Sequence, residues 1–335
     1  MQRTVIVSNF GSFISKKSER MVIKEGTEII KEIPFFRIGE VIIGKKGVSL
    51  STDFIAEASQ RGIKVSFLDM SGKPYCMFHS ASLNGNVSTK RMQLESYSNN
   101  KGLELVKKII SGKINNQSNL LKYFNKYQKT ANIDKFNQIN GIIEFLENNK
   151  QSILKISGQN INEKRSEVLT LEASAGKHYW KGISILLDLE SFKREHRGTQ
   201  NITNALFNYG YGILYSKIWG AIINAGLEPY AGFLHVDRIN KPSMILDFVE
   251  EFRQPIIDKI VVAMLSKGVN FKMSSGLLTP DSKEKLAEKV LERLEDRVIF
   301  QGKEFALKSI IQIQARNVAS FLRNEKDYKS YSFKW

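Results

Sequence analysis

The side chains best suited to chemistry in this chain are acids and one histidine. Residues 226–258 read GLEPYAGFLHVDRINKPSMILDFVEEFRQPIID. They set His235 at the end of an apolar turn, a short loop ahead of a helix opened by Pro242. That helix carries Asp247, Glu250 and Glu251. Residues three and four apart share a helix face, so Ser243, Asp247, Glu250 and Gln254 form a polar stripe. Ile245, Phe248, Val249, Phe252 and Ile256 form the apolar one. Glu251 flanks the polar stripe and is expected to face solvent or a basic partner. Carboxylates turned inward repel one another and are costly to bury. A cation would relieve them, and an imidazole within reach makes the set a candidate divalent-metal site. The alternatives are a surface stripe paired with Lys or Arg and, for His235, a satisfied core histidine.

A second carboxylate stands out in VLTLEASAGKHYW, where Glu172 lies among Leu169, Leu171, Ala173 and Ala175, just ahead of Tyr179 and Trp180. A carboxylate in so apolar a setting needs a partner, either a lysine or a metal. His79, His178 and His196 have polar or basic neighbours and read as structural or surface residues. There is no GxxxxGK[ST] phosphate loop and no HExxH. The glycines of NYGYGIL lie within a helical pattern rather than after a strand. One cysteine, Cys76, cannot build a zinc ribbon or an intrachain disulfide.

The elements that must position these residues fall into two groups. Residues 1–95 read as strand-rich. TVIVSN is followed by GSFISKKSERMVIKEG, a hairpin with a polar KKSER turn, and FFRIGEVIIGKKGVSLS repeats the pattern. Ser51 or Thr52 caps a short helix ending at Gly62, and residues 63–78 are strand, Ser-Gly turn, strand. Residues 82–100 are polar and read as a linker. From Leu103 onward the apolar spacing is helical. A helix over 162–183 with Asn162 as cap carries Glu172, and a largely apolar helix over 203–226 closes at Gly226. Helices over 282–298 and 307–324 follow. The expected class is α+β: a small β-sandwich-like domain over 1–95, then a larger all-α catalytic domain over 96–335.

The 335 residues carry a net charge of +16, which favours a polyanionic partner, most often nucleic acid. The basic and aromatic tail RNEKDYKSYSFKW either stacks on single-stranded nucleic acid or packs on its own domain. No stretch is long and apolar enough to suggest a membrane span, and MQRTVIVSNFGSF lacks a signal-peptide core. With a single cysteine, these features lead us to expect a cytoplasmic protein.

Three segments, in order, carry a resemblance: LEASAGKHYW, then NALFNYGYGILYSKIWGAIINAGLEPYAGFLH, then KPSMILDFVEEFRQPIID. Together they resemble the CRISPR-associated spacer-acquisition integrase, the metal-dependent nuclease of prokaryotic adaptive immunity. The resemblance covers the whole chain, through specific motifs in its C-terminal part and through pattern alone in its N-terminal part. It implies one divalent ion, Mn²⁺ or Mg²⁺, held by Glu172, His235 and Glu250, with Asp247 supporting the site. Asn204 matches the family's asparagine ahead of NYGY. Two carboxylates and an imidazole suit either ion, and the histidine favours Mn²⁺. The resemblance further implies a DNA endonuclease and integrase that inserts short foreign DNA into a CRISPR array by attack of a 3′-hydroxyl on a phosphodiester. Its substrate would be double-stranded DNA with single-stranded 3′ ends. Its partners would be a second copy, joined through the β-rich domain, and a small ferredoxin-like CRISPR-associated companion. The sequence departs from the family pattern in FKREHRGTQNITN and in the residue after Glu172, which leaves DNA placement near 191–204 open. The rival readings are a structure-specific DNA-repair nuclease using the same site, and a nucleic-acid-binding module without catalysis.

Overall fold

A computed structural model describes residues 3–69, 72, 74–78, 87–190, 192–195 and 199–333. His79, His196 and the last two tail residues lie outside that set. The chain forms two compact units, residues 1–84 with 208–216, and residues 85–207 with 217–335.

The first unit contains β1 (Arg3–Val7), β2 (Ser12–Lys17), β3 (Arg20–Glu25), β4 (Glu28–Pro34), β5 (Ile38–Ile43), β6 (Ser49–Leu50), α1 (Thr52–Gln60), β7 (Lys64–Leu68) and β8 (Pro74–Phe78). Two four-stranded sheets form, ordered β1-β5-β7-β8 and β4-β3-β2-β6. The expected hairpin is β2–β3, registered from Ser12↔Glu25 to Lys17↔Arg20, with Ser18 in the left-handed region at φ 52° as so tight a turn requires. Residues 35–51 do not form a second hairpin. β5 pairs in parallel with β1, and β6 pairs in parallel with β2 in the other sheet. The reason is the continuous apolar run of β5: Val41, Ile42 and Ile43 are all buried, as suits a central strand covered on both faces.

Both sheets contribute to one apolar core, with Val5, Val41 and Val65 from the first, Ile14, Met21 and Ile23 from the second, and Phe54 and Ala58 from α1. Ser51 caps α1 by accepting from the Phe54 N–H, and Gly62 ends it at φ 65°. The middle of the NYGYG helix belongs to this unit. A Cβ on Gly212 would lie 1.9 Å from the Gly72 carbonyl oxygen, so only glycine allows that approach. The Lys64 ammonium donates to the Ser216 carbonyl at 2.7 Å and pairs with Glu40 at 2.8 Å.

The second unit is helical: α2 (Val87–Ser96), α3 (Asn100–Asn125), α4 (Gln128–Ala131), α5 (Ile133–Lys155), α6 (Ile161–Leu186), both ends of α7 (Ile202–Asn224), α8 (Ser243–Phe248), α9 (Lys259–Ser266), α10 (Pro280–Glu295) and α11 (Leu307–Leu322), with short hairpins β9–β10 (Met273–Ser274, Leu277–Leu278) and β11–β12 (Arg297–Phe300, Lys303–Ala306). No described helix is long and apolar enough to cross a membrane. The stretch expected as a linker contains α2. Its buried face is Thr89, Gln93 and Ser96, so it shows no apolar periodicity. It is held by polar contacts, the Gln93 amide donating to the Glu228 and Ala231 carbonyls at 3.0 and 2.7 Å. Asn160, not Asn162, caps α6, accepting from the N–H groups of Asn162 and Glu163. The β11–β12 hairpin escaped the sequence reading because its strands are short and Ile299 is 82 % exposed. The tail packs on its own domain: Tyr328, Tyr331 and Phe333 are buried, and Tyr331 stacks on Phe252 with centroids 5.7 Å apart.

α3 is the axis of this unit, packed against α5 and α6 through a buried stripe including Val106, Ile109, Ile110, Gln117, Leu120 and Leu121. At the α3–α5 edge Glu147 pairs with Lys122 at 3.0 Å and with Lys150, and accepts from Ser118 at 2.8 Å. Burial raises this carboxyl, but the Lys150, Ser118 and Lys122 donors outweigh it and bring it from 4.5 down to about 2. A carboxyl lowered in the folded state stabilises the fold above its unfolded value and stops doing so as pH falls through the folded one. Glu147→Gln is therefore expected to be less stable than wild type at neutral pH. In urea titrations at several pH values, the gap should close between about pH 4.5 and pH 2.

Candidate metal centre

Residues 243–258 do not make one regular helix. α8 ends at Phe248, a 3₁₀ turn covers Val249–Glu251, and a π turn covers Arg253–Asp258. Pro255 supplies part of the cause, since it has no N–H for the carbonyl four residues earlier. That carbonyl, on Glu251, accepts instead from the Asn116 side-chain amide at 2.9 Å. The whole polar stripe is buried: Ser243, Asp247, Glu250 and Gln254. Glu251 is buried too, contrary to the expectation that it faces solvent. The break in the helix turns it toward α11 and the tail, where it accepts from the Tyr328 hydroxyl, from the Tyr331 N–H at 2.8 Å and from Gln314 at 3.3 Å. Burial pushes its carboxyl up to about 7 against the pull of these donors.

Asp247 organises the GFLH turn. One oxygen accepts from the N–H groups of Phe233 at 2.6 Å and Leu234 at 3.0 Å; the other accepts from the His235 N–H at 3.1 Å. The second oxygen also meets the His235 Nδ1 at 2.6 Å. An Nδ1–H bonded to carboxylate leaves the Nε2 lone pair for a ligand, as in carboxylate–histidine–metal arrangements. On the carbonyl side of the same turn, Arg165 donates to Leu234 at 3.1 Å and to Phe233 at 3.0 Å. Gly232 permits the turn to lie against α8, for a Cβ there would fall 2.5 Å from the Ser243 backbone.

Glu250 and Glu172 meet at a shared cation. Lys113 of α3 pairs with Glu172 of α6 and, at 2.8 Å, with Glu250 Oε2. Arg253 takes the other Glu250 oxygen at 2.7 Å. Burial alone would raise the Glu250 carboxyl, but Arg253, Lys113 and, more weakly, His235 outweigh it and hold it at about 2. Burial likewise lowers Lys113, and the two carboxylates more than offset this, raising it. Glu250 Oε2 makes no well-directed hydrogen bond despite the nearby ammonium. The predicted ligands thus fall into two groups, Glu172 with Glu250 around Lys113, and His235 with Asp247. Among the described residues no three acids, cysteines or histidines converge as a ready metal cluster. The donor set nevertheless fits a divalent ion. A cation already sits between two carboxylates, one buried oxygen lacks a directed donor, and the His235 imidazole is near enough to lower the Glu250 carboxyl.

Asn204 is buried on α7, where it pins the preceding loop. It accepts from Glu195 N–H and from Arg194, each at 3.0 Å, and donates to the Lys193 carbonyl at 2.8 Å. His178 Nδ1 donates to the Ser174 carbonyl at 2.9 Å and the ring stacks on Phe145, a structural role. Lys113 and Arg253 escaped sequence reasoning. The available signal was Lys113's place on the buried stripe of α3, four residues after Ile109. An open cleft of about 510 Å³ runs along α6, lined by Asn162, Arg165, Ser166, Leu169, Thr170 and Ala173. Removing Asp247 would orphan three backbone N–H groups in a buried turn. Asp247→Ala should cost roughly 3 kcal/mol or more in urea unfolding, and Asp247→Asn less.

The profile of the family described as CRISPR associated protein Cas1 matches residues 5–292. A CRISPR-associated endonuclease Cas1 of Francisella tularensis subsp. novicida is 35% identical over 99% of this chain and 99% of its own. Among solved structures, a casposase bound to integration product aligns with TM-score 0.82 at 22% identity, covering 98% of this chain and 93% of that one. A Cas6-RT-Cas1–Cas2 complex aligns with TM-score 0.79 at 16% identity, covering 99% of this chain and 36% of that one. At these identities the structural likeness speaks for the fold, while the sequence match over most of the chain carries the assignment: this chain belongs to the Cas1 family.

Proposed function

We propose that this chain is a divalent-metal-dependent DNA endonuclease and integrase of CRISPR adaptation, acting in the cytoplasm. The observation that carries this reading is the pairing of Glu172 and Glu250 across one cation, with the Asp247-bound His235 imidazole close enough to act on the Glu250 carboxyl. The name of the Francisella relative supports the endonuclease part, and the casposase structure, captured on an integration product, supports strand joining. Glu172, His235 and Glu250 would hold Mn²⁺ or Mg²⁺. Such an ion polarises a phosphodiester and offsets the charge that builds on its oxygens. The chain's own part is positional. Asp247 fixes the imidazole, the Glu172 and Glu250 carboxylates are held by separate elements, and the basic surface draws in DNA phosphates. The nucleophile is water in cleavage and a DNA 3′-hydroxyl in integration, on double-stranded DNA with single-stranded 3′ ends.

Two partners belong to this reading. One is a small ferredoxin-like companion; the fold neighbour solved with Cas2 supports it. The other is a second copy, supported by the edge strand β4, where Ile29 and Ile30 are 47% and 52% exposed. Replacing both isoleucines with lysine is expected to yield monomers by light scattering, with the fold kept by circular dichroism.

Glu172→Gln, His235→Ala and Glu250→Gln should each lower Mn²⁺-dependent strand transfer by about 100-fold or more while DNA binding changes little. Joining of a 3′-hydroxyl end to a repeat junction separates an integrase from a repair nuclease, which would only cut. Cleavage that survives all three changes would leave the chain a binding module.

A further inference from the structure

We propose that Lys113 is a resident cation that holds Glu172 and Glu250 together in the metal-free protein and competes with the divalent ion for them. The proposal rests on the metal site described above. Three observations lead to it. The Lys113 side chain is only 9% exposed, and its ammonium contacts both carboxylates, which come from separate elements. Arg253 takes the Glu250 oxygen that Lys113 does not, so both oxygens of that buried carboxylate face cations. Finally, no three ligands converge among the described residues, as expected if the lysine draws the two glutamates around itself and away from His235.

A divalent ion on the same oxygens would face an ammonium at contact distance in a place shielded from water, where like charges repel strongly. The two cations cannot both bridge the pair. The lysine stem is flexible enough to leave, and the open side of the site lies toward Glu172, whose side chain is 23% exposed. In the absence of metal, the same lysine shares the compensation of the buried Glu250 with Arg253 and pairs with the half-buried Glu172. The metal affinity of this protein is therefore the intrinsic affinity of the ligands reduced by the fraction of molecules in which Lys113 has moved aside.

The test is calorimetric titration of Mn²⁺ into DNA-free protein, for wild type, Lys113→Met and Lys113→Arg. The methionine variant should bind Mn²⁺ ~10-fold tighter or more than wild type, and the arginine variant no tighter. Without metal, Lys113→Met should melt below wild type, and Mn²⁺ should recover the loss. Glu172→Gln placed on Lys113→Met should remove the gain in affinity. A Lys113→Met affinity equal to or weaker than that of a metal-binding wild type overturns the competition and leaves the metal site standing. Absence of Mn²⁺ binding in both overturns the metal reading itself. Should Lys113→Met not fold, a crystal structure of Mn²⁺-soaked wild type decides: the ammonium must have left at least one glutamate. An ammonium still bonded to both, with the ion bound, refutes the proposal.

Discussion

The helical unit is built around the cost of burying carboxylates. The broken segment that begins at Ser243 and ends at Asp258 buries Asp247, Glu250, Glu251 and Asp258. Each would be severely destabilising without a partner. The partners come from almost every other part of the unit. The GFLH backbone serves Asp247, α3 serves Glu250 through Lys113, α11 and the tail serve Glu251, and α6 serves Asp258 through the Tyr179 hydroxyl at 2.6 Å. Satisfying these four groups fixes where α3, α6 and the tail must lie.

That arrangement explains why the tail is ordered although it is basic and aromatic. Its tyrosine hydroxyl and a backbone N–H complete the shell of Glu251, and Asn116 ties the same carboxylate's backbone to the Tyr331 carbonyl at 2.9 Å. Asn116 lies one turn after Lys113 on α3. One helix therefore carries both the cation for Glu250 and the amide that replaces the hydrogen bond denied by Pro255. The chemistry of the site and the anchoring of the chain's end share a single scaffold.

Much of the site was legible because its signals are local. The GFLH turn, the acids three residues apart and the apolar stripe between them sit within one short stretch, and helix geometry relates them directly. Glu172 was legible for the opposite reason, as a charge with no compatible neighbour. Glu251 was misplaced because face assignment assumes a regular helix, and the 3₁₀ and π turns rotate it off the expected face. α2 was hidden because polar side chains, not apolar ones, hold it down.

By itself the sequence determined the strand-rich start and the helical remainder, the basic charge, and the residue types that could grip a cation, since each depends on composition or on neighbours a few positions apart. Only the tertiary structure decided which strands pair, because β5 and β6 join different sheets through contacts that no turn specifies. It alone set Lys113 between Glu172 and Glu250, side chains on three separate elements. Nothing local marks such a meeting. It follows from the need to compensate buried charge once the helices have packed, and that need is met by whichever cation the packed helices bring within reach.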